Sequence, residues 1–384
     1  MSKHLAGLAA LAICFACQGD VSNNGNSNPE KCWPSPDKPG VQVCERTAPV
    51  QIFEPPAGRP VINPRVLQRF EPLRPAFYKG KVTPADALVN LGRMLYYDER
   101  LSKNGTMSCN TCHPLDKYGT TSDVTPLGVN GKRVARNAPS VYNAAGQFAQ
   151  FWDGRSRNVE EQAMMPLLNP LEMAATPVSV LATLNSVDGY QPLFKAAFPR
   201  DAKPISLKNI GTAIGAFERG LTTPARWDRF LRGNDTSLSD KEKEGLRLFT
   251  SVGCQVCHTG ELVGGTMYEK LGAAVAWQDS TDHGRGDITH DPADDMMFKV
   301  PSLRNVVHTA PYFHDGSAKT LDEAVKQMAI YQTGQPLTDA EISLVVAWLG
   351  SLSGEIDAKY IQPPILPGKH VAQAPPHDTS VGTP

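Results

Sequence analysis

The sequence predicts a mainly α chain built twice on one plan, and three observations predict it. A Cys-x-x-Cys-His motif occurs at residues 109–113 and again at 254–258, each time after a helix-like apolar run and before a long loop marked by Gly and Pro. Between about residue 83 and residue 354 the apolar positions recur at helical spacing. Nothing resembles a succession of alternating strands.

Each helical element has a start signal. Thr83 and Pro84 are expected to cap a run ending at Tyr97, and Ser206 opens another that reaches Gly220. Ser239 with Glu242, Thr320 with Glu323 and Thr338 with Glu341 read as capping boxes, in which the hydroxyl accepts from the backbone three residues on and the carboxylate reaches back. The stretch 91–97 stands before Cys109 much as 246–250 stands before Cys254, so the two halves look like diverged copies.

The 384 residues are enough for two ordinary domains. Residues 1–17 read as a signal peptide, with a lysine near the start and an apolar run from Leu5 to Ala16 too short to span a bilayer. Cys17 follows a small-residue stretch and offers a lipidation point, a possible lipid anchor. Residues 18–80 form a Pro-rich arm, 81–234 a first domain, 235–362 a second, with the linker near 232–235. Residues 363–384 read as a disordered tail. Export places the chain in the periplasm or cell envelope, where Cys32 and Cys44 are expected to form a disulfide. A formal net charge of −1 excludes nucleic-acid binding by counterion release. A homodimer is left open.

The two motifs carry the chemistry. Two cysteines three apart can each form a thioether with a haem vinyl group, and the adjacent histidine is then aimed at the iron from one side. A zinc knuckle needs four ligands, and a dithiol redox pair needs no histidine. Two covalent c-type haems are therefore expected, attached at Cys109 and Cys112 and at Cys254 and Cys257, with His113 and His258 as axial ligands. No histidine lies between His113 and His258. The first iron should thus keep an open position, which favours chemistry over simple electron transfer. Met164, Met165 and Met173 are the alternative ligands there. For the second iron Met328 competes, by spacing alone, with Met267, Met296, Met297, His308 and His314.

From about residue 83 to 354 the chain resembles the bacterial diheme cytochrome c peroxidases, a family that includes the diheme enzyme maturing methylamine dehydrogenase. The matching stretches, besides the two motifs, are RNAPSVYN (136–143), QFWDGR (150–155), EEQA (160–163), NPLEM (169–173), AFERGL (216–221), FKVPSLRNV (298–306), TAPYFHDGS (309–317) and MAIYQTG (328–334). The resemblance implies two cytochrome c-like haem domains with long loops. It also implies that Met328 closes the second, electron-accepting haem, that Glu172 is the acid/base residue beside the first, and that Trp152 bridges electron transfer. Asn137, Thr309 and Pro311 match a calcium site, a side-chain oxygen with two backbone carbonyls, which suits a hard cation. Cleaving peroxide requires a proton to move from its inner to its outer oxygen, a task a shielded carboxylate performs. The maturation enzyme has tyrosine where this chain has Met328, which favours a peroxidase.

One departure stands out. Relatives often carry an inhibitory histidine in the loop before the Asn-Ala-Pro motif, whereas here that loop reads Leu127-Gly128-Val129-Asn130. Valine cannot ligate, so the first haem is expected to be permanently open. The expected activity is reduction of hydrogen peroxide to water with electrons from a small c-type cytochrome or a copper protein (cupredoxin). The rivals are a peroxide-dependent oxidase modifying a protein or small substrate, and a non-enzymatic diheme electron carrier or redox sensor.

Overall fold

The computed structural model describes residues 32–34, 42–44, 62–80, 82–83 and 85–368. The expected leader with Cys17, and the end of the chain after residue 368, lie outside them. Among the described residues the regular secondary structure is helical, joined by long loops, apart from two small antiparallel sheets, Cys32–Pro34 with Gln42–Cys44 and Tyr268–Lys270 with Met297–Lys299. Cys32 stands opposite Cys44 in the first register.

The fold is organised by two pairs of tightly crossed helices, one per motif. In the first pair, Ala87–Tyr97 packs Leu91, Leu95 and Tyr96 against Ile210, Ile214 and Phe217 of Leu207–Glu218. The crossing point is Gly92, where a Cβ would come within 1.8 Å of the Ala213 carbonyl oxygen. In the second pair, Asp240–Ser251 crosses Asp339–Gly350 at Gly245, where a Cβ would lie 1.9 Å from the Leu344 carbonyl oxygen. Only glycine lets the backbones approach this closely. The helix entering each haem motif is thereby clamped to a later helix of its own half, as the repeat in the sequence suggests.

Each pair nucleates its own core. The first gathers Tyr190, Phe194 and Phe217, and the second Trp227, Phe249 and Trp348. Trp227 meets Trp348 edge-on at 5.6 Å, a favoured aromatic arrangement. Trp227 sits on Arg226–Leu231, so the second core draws on residues upstream of the linker expected near 232–235. Neighbouring Asp228 forms an ion pair with Arg304 at 2.8 Å, with both side chains almost wholly buried. Its carboxylate also accepts from the amides of Leu73 and Ala225, and such saturation is what makes a buried charge tolerable.

Residues 62–80 of the Pro-rich arm pack against both cores. Ile62 and Phe70 join the second core, and the Phe77 amide donates to the Arg219 carbonyl of the first half. The strap therefore spans both halves. Residues 363–368 of the expected tail pack on the body, where Leu366 is buried and the Pro367 carbonyl accepts from Arg100. Apolar side chains within these Pro-rich stretches explain the packing of both.

The helix starts follow the sequence, with one correction. Ser206, Ser239, Thr320 and Thr338 cap their helices, the last three as full capping boxes. Thr83 does not cap. The helix begins at Ala87 behind Asp86, whose carboxylate instead accepts from the Thr83 amide at 2.7 Å and closes a turn ahead of the helix.

Gly245→Ala should lower the unfolding free energy by about 1–3 kcal/mol through overpacking at the crossing. A Cβ at Gly350 meets nothing within 4 Å, so Gly350→Ala in the facing helix should stay within ~0.5 kcal/mol. Denaturant unfolding of the two variants beside the parent checks the contrast.

Candidate active site

The first motif is built on a single helical turn, Cys109–Cys112, held at its start by a capping box between Ser108 and Thr111. That turn presents both sulfurs in the first half and leaves His113 at its end. The His113 ring is half-buried, and its Nδ1 lies 3.0 Å from the Gly119 carbonyl oxygen. A carbonyl can only accept, so Nδ1 carries the proton and the Nε2 lone pair is free to bind a metal. The second motif repeats the arrangement. His258 Nδ1 stands 3.3 Å from the Val263 carbonyl oxygen, and burial lowers its pKa to about 4, keeping the ring neutral. None of the four motif cysteines is in a disulfide.

Beside His113 opens a cavity of about 590 Å³, in the range of a cofactor pocket. Cys109, Cys112, Trp152, Glu172 and Glu218 share its wall, and among the described residues lining it His113 is the only histidine. Of the three alternative methionine ligands only Met173 lines it, while Met165 is exposed on the surface. Arg136 and Arg155 also reach the cavity, but their charges are engaged: Arg136 pairs with Asp282 and Asp153, and Arg155 with Asp153.

Glu172 is held from two sides. Its Oε1 accepts from Asn169 Nδ2 at 2.7 Å, and its backbone carbonyl accepts from the Val129 amide at 2.8 Å. Burial raises its carboxyl pKa above the usual carboxylate range, with the Asn169 hydrogen bond opposing. Val129 packs on the first core, and its neighbours Leu127 and Gly128 line the cavity instead.

Trp152 connects two environments. Its ring lines the cavity, and it packs together with Met328 against Trp277, Phe298 and Tyr331. The indole N–H donates to the Asn137 carbonyl at 2.9 Å. Met328 opens a π-type turn, Met328–Gln332, directly after the helix Leu321–Gln327; such turns are frequent at functional sites. Its histidine competitors have other contacts. His308 stacks flat on Tyr118 at 3.9 Å, and His314 packs on Phe298 at 4.4 Å. Met296 is buried in the same cluster as Met328, and Met267 and Met297 are half-buried.

Asn137 is tied to the loop of Thr309 and Pro311 through its amide, which donates to the His314 carbonyl at 2.7 Å. Its Nδ2 donates to the carbonyls of Asp123 and Val124, which turns Oδ1 away from them.

Comparison with known proteins decides the family. Residues 86–236 match the model of the di-haem cytochrome c peroxidases. The chain is 39 % identical over 328 residues to the cytochrome c551 peroxidase of Nitrosomonas europaea, an alignment spanning 85 % of this chain and 96 % of that protein. It is likewise 39 % identical to the cytochrome c551 peroxidase of Pseudomonas aeruginosa, over 72 % of this chain and 81 % of the other. The chain belongs to the di-haem cytochrome c peroxidase family. A crystal structure of a MauG-like protein associated with microbial copper homeostasis superposes with a TM-score of 0.68 at 29 % identity, covering 76 % of this chain and 97 % of that one.

This cytochrome c peroxidase carries two c-type haems, and its residues fit them. Each motif offers two unpaired thiols beside a neutral imidazole whose proton is fixed on the nitrogen facing the backbone. The mainly α, two-domain expectation holds. The sequence reading missed one group in the peroxidase cavity, Glu218. Its signal was present, because Ile210, Ile214, Phe217 and Glu218 form one stripe at i, i+4, i+7 and i+8, and a carboxylate on an apolar stripe is anomalous.

Removing the Asn169 hydrogen bond withdraws a contact that favours the Glu172 carboxylate, so Asn169→Ala should raise that pKa further. The acid limb of the kcat/KM profile for peroxide should then move to higher pH. A limb at its original position would detach it from Glu172.

Proposed function

We propose that this peroxidase reduces hydrogen peroxide to water in the cavity between His113 and Glu172, with electrons arriving by way of Met328 and Trp152. The observation that carries the reading is the cavity wall: a neutral axial histidine, a shielded carboxyl, and no second histidine among its described residues. A pure electron carrier would close both irons, and the described residues lining the cavity beside His113 include no second histidine to close the first.

His113 would hold the iron of the first haem, tethered through Cys109 and Cys112, and His258 with Met328 that of the second, tethered through Cys254 and Cys257. When bound, the haems supply the redox chemistry and the electrophilic centre for O–O cleavage. Glu172 takes a proton from one peroxide oxygen and returns it to the other, so that water rather than hydroxide leaves. Burial suits it to that exchange, because a raised pKa brings the carboxyl closer to the working pH. Asn169 fixes its orientation. Trp152 supplies the aromatic step between the Met328 environment and the cavity. The overall change is H2O2 + 2 e− + 2 H+ → 2 H2O.

The electron donor in this reading is a small c-type cytochrome, with a copper protein as the other candidate. Calcium at Asn137, Thr309 and Pro311 would stiffen the joint next to Trp152, since Asn137 holds both the indole and the loop of the other half. The site of action is the periplasm or cell envelope, a reading supported by the leader-like start of the sequence and by Cys17.

Mixing fully oxidised enzyme with peroxide in a stopped-flow spectrometer should perturb the first haem without lag, because no histidine has to leave. Inert oxidised enzyme that responds only after half-reduction would overturn this. Glu172→Gln should keep both haems and slow turnover by about 10²; turnover at the parent rate would make Glu172 structural. Met328→Leu should add a second high-spin signal and lower the potential of the second haem, read by absorption spectra and redox titration. An unchanged low-spin spectrum would move the ligand elsewhere.

A further inference from the structure

Glu218 is the buried acid that the mechanism has not used. It is 4 % exposed and lines the peroxide cavity, and among the described residues no hydrogen bond or ion pair holds its carboxyl. Adjacent Arg219 does not neutralise it, because that guanidinium is committed to Glu160 through bonds of 2.8 and 2.9 Å. An ionised carboxylate in such a place lacks both water and a partner, so the neutral acid is favoured. Burial is the largest influence, the negative charge of Glu160 adds to it, and Arg219 opposes; the pKa is raised to about 8. The other titratable neighbours are Cys109, which becomes a thioether when the haem is attached, and the phenol of Tyr96. Glutamine or leucine would fill the same space without the cost of keeping an acid there.

Glu160 connects this acid with solvent. It lies against the Glu218 helix, where a Cβ on Gly215 would touch its Cγ at 2.6 Å. Its side chain is 22 % exposed, and Lys79 at the surface approaches it at 3.5 Å. The reaction needs such a connection. Glu172 moves a proton within the peroxide but imports none, whereas each turnover consumes two protons from outside.

We infer that Glu218 supplies protons to the peroxide cavity and is refilled from solvent past Glu160. In each delivery the Glu218 O–H bond breaks, the proton passes through cavity solvent to the oxygen being reduced, and an O–H bond of product water forms. The carboxylate left behind takes a proton from the Glu160 side. The electrons are those of the peroxidase reaction, delivered by the reduced cytochrome. Glu218 thus acts through solvent rather than by touching substrate, and the inference rests on the peroxidase reading above.

The test is Glu218→Gln in the two-haem enzyme, assayed with peroxide and a reduced small c-type cytochrome over a range of pH. Both haem spectra should be retained and the peroxide KM little changed. The kcat should fall on the order of tenfold, less than for loss of Glu172 itself, and the solvent isotope effect on kcat should rise. In the parent, kcat should decline as pH rises through about 8, where Glu218 loses its proton. That limb should be absent from Glu218→Gln and present in Glu218→Asp. Parent-like kcat, isotope effect and pH limb in Glu218→Gln would overturn the inference while leaving the peroxidase reading intact; a parent enzyme without turnover would instead sink that reading. Should Glu218→Gln fail to take up both haems, Glu160→Gln carries the same test, and an unaltered kcat and isotope effect there would overturn the route.

Discussion

Backbone contact at two glycines is the constraint on which the rest of this molecule depends. At Gly92 and Gly245 the helix leading to each Cys-x-x-Cys-His motif crosses another helix with no room for a Cβ. The crossing fixes where that helix ends, and the motif follows it within a short stretch of chain. Everything downstream inherits the position. The capped turn Cys109–Cys112 places two thiols, and the carbonyls of Gly119 and Val263 set the imidazole protons. A metal-binding nitrogen is therefore already oriented by the protein around it.

The cavity then works by unequal treatment of charge. Its arginines are paired with Asp153 and Asp282, so their positive charge is largely committed. Its carboxyls are treated differently. Glu172 has one amide donor, and Glu218 has no hydrogen-bonding partner among the described residues. Burial without compensation pushes a carboxyl toward its neutral form, modestly at Glu172 and further at Glu218. Asp228 shows the contrary case in the same molecule. It is buried too, but ion-paired to Arg304 and bonded to two backbone amides, and its place is structural.

The joint between the halves gathers Trp152, Met328 and Asn137. Trp152 lines the cavity and packs with Met328, and its indole is held by the Asn137 carbonyl. Residues 62–80 strap the two cores together, which holds both motifs and the tryptophan between them in one frame. A rigid frame suits electron transfer, because its rate depends on a fixed path.

The sequence by itself determined whatever depends on neighbours along the chain. Helix caps at Ser206, Ser239, Thr320 and Thr338, the two attachment motifs and the missing histidine were all legible, because each is written in a few adjacent residues or in a plain absence. That Glu172 would stand on the cavity wall and Met328 beside Trp152 could be expected only through resemblance, since a lone Glu or Met carries no mark of its surroundings. Tertiary structure alone decided the membership of Trp227 in the second core, the strap of residues 62–80, and the isolation of Glu218. The physical reason is the same in each case. Burial and the presence or absence of a partner are set by contacts between residues far apart in sequence, and the stripe from Ile210 to Glu218 could mark a carboxyl as buried but could not say whether anything would meet it.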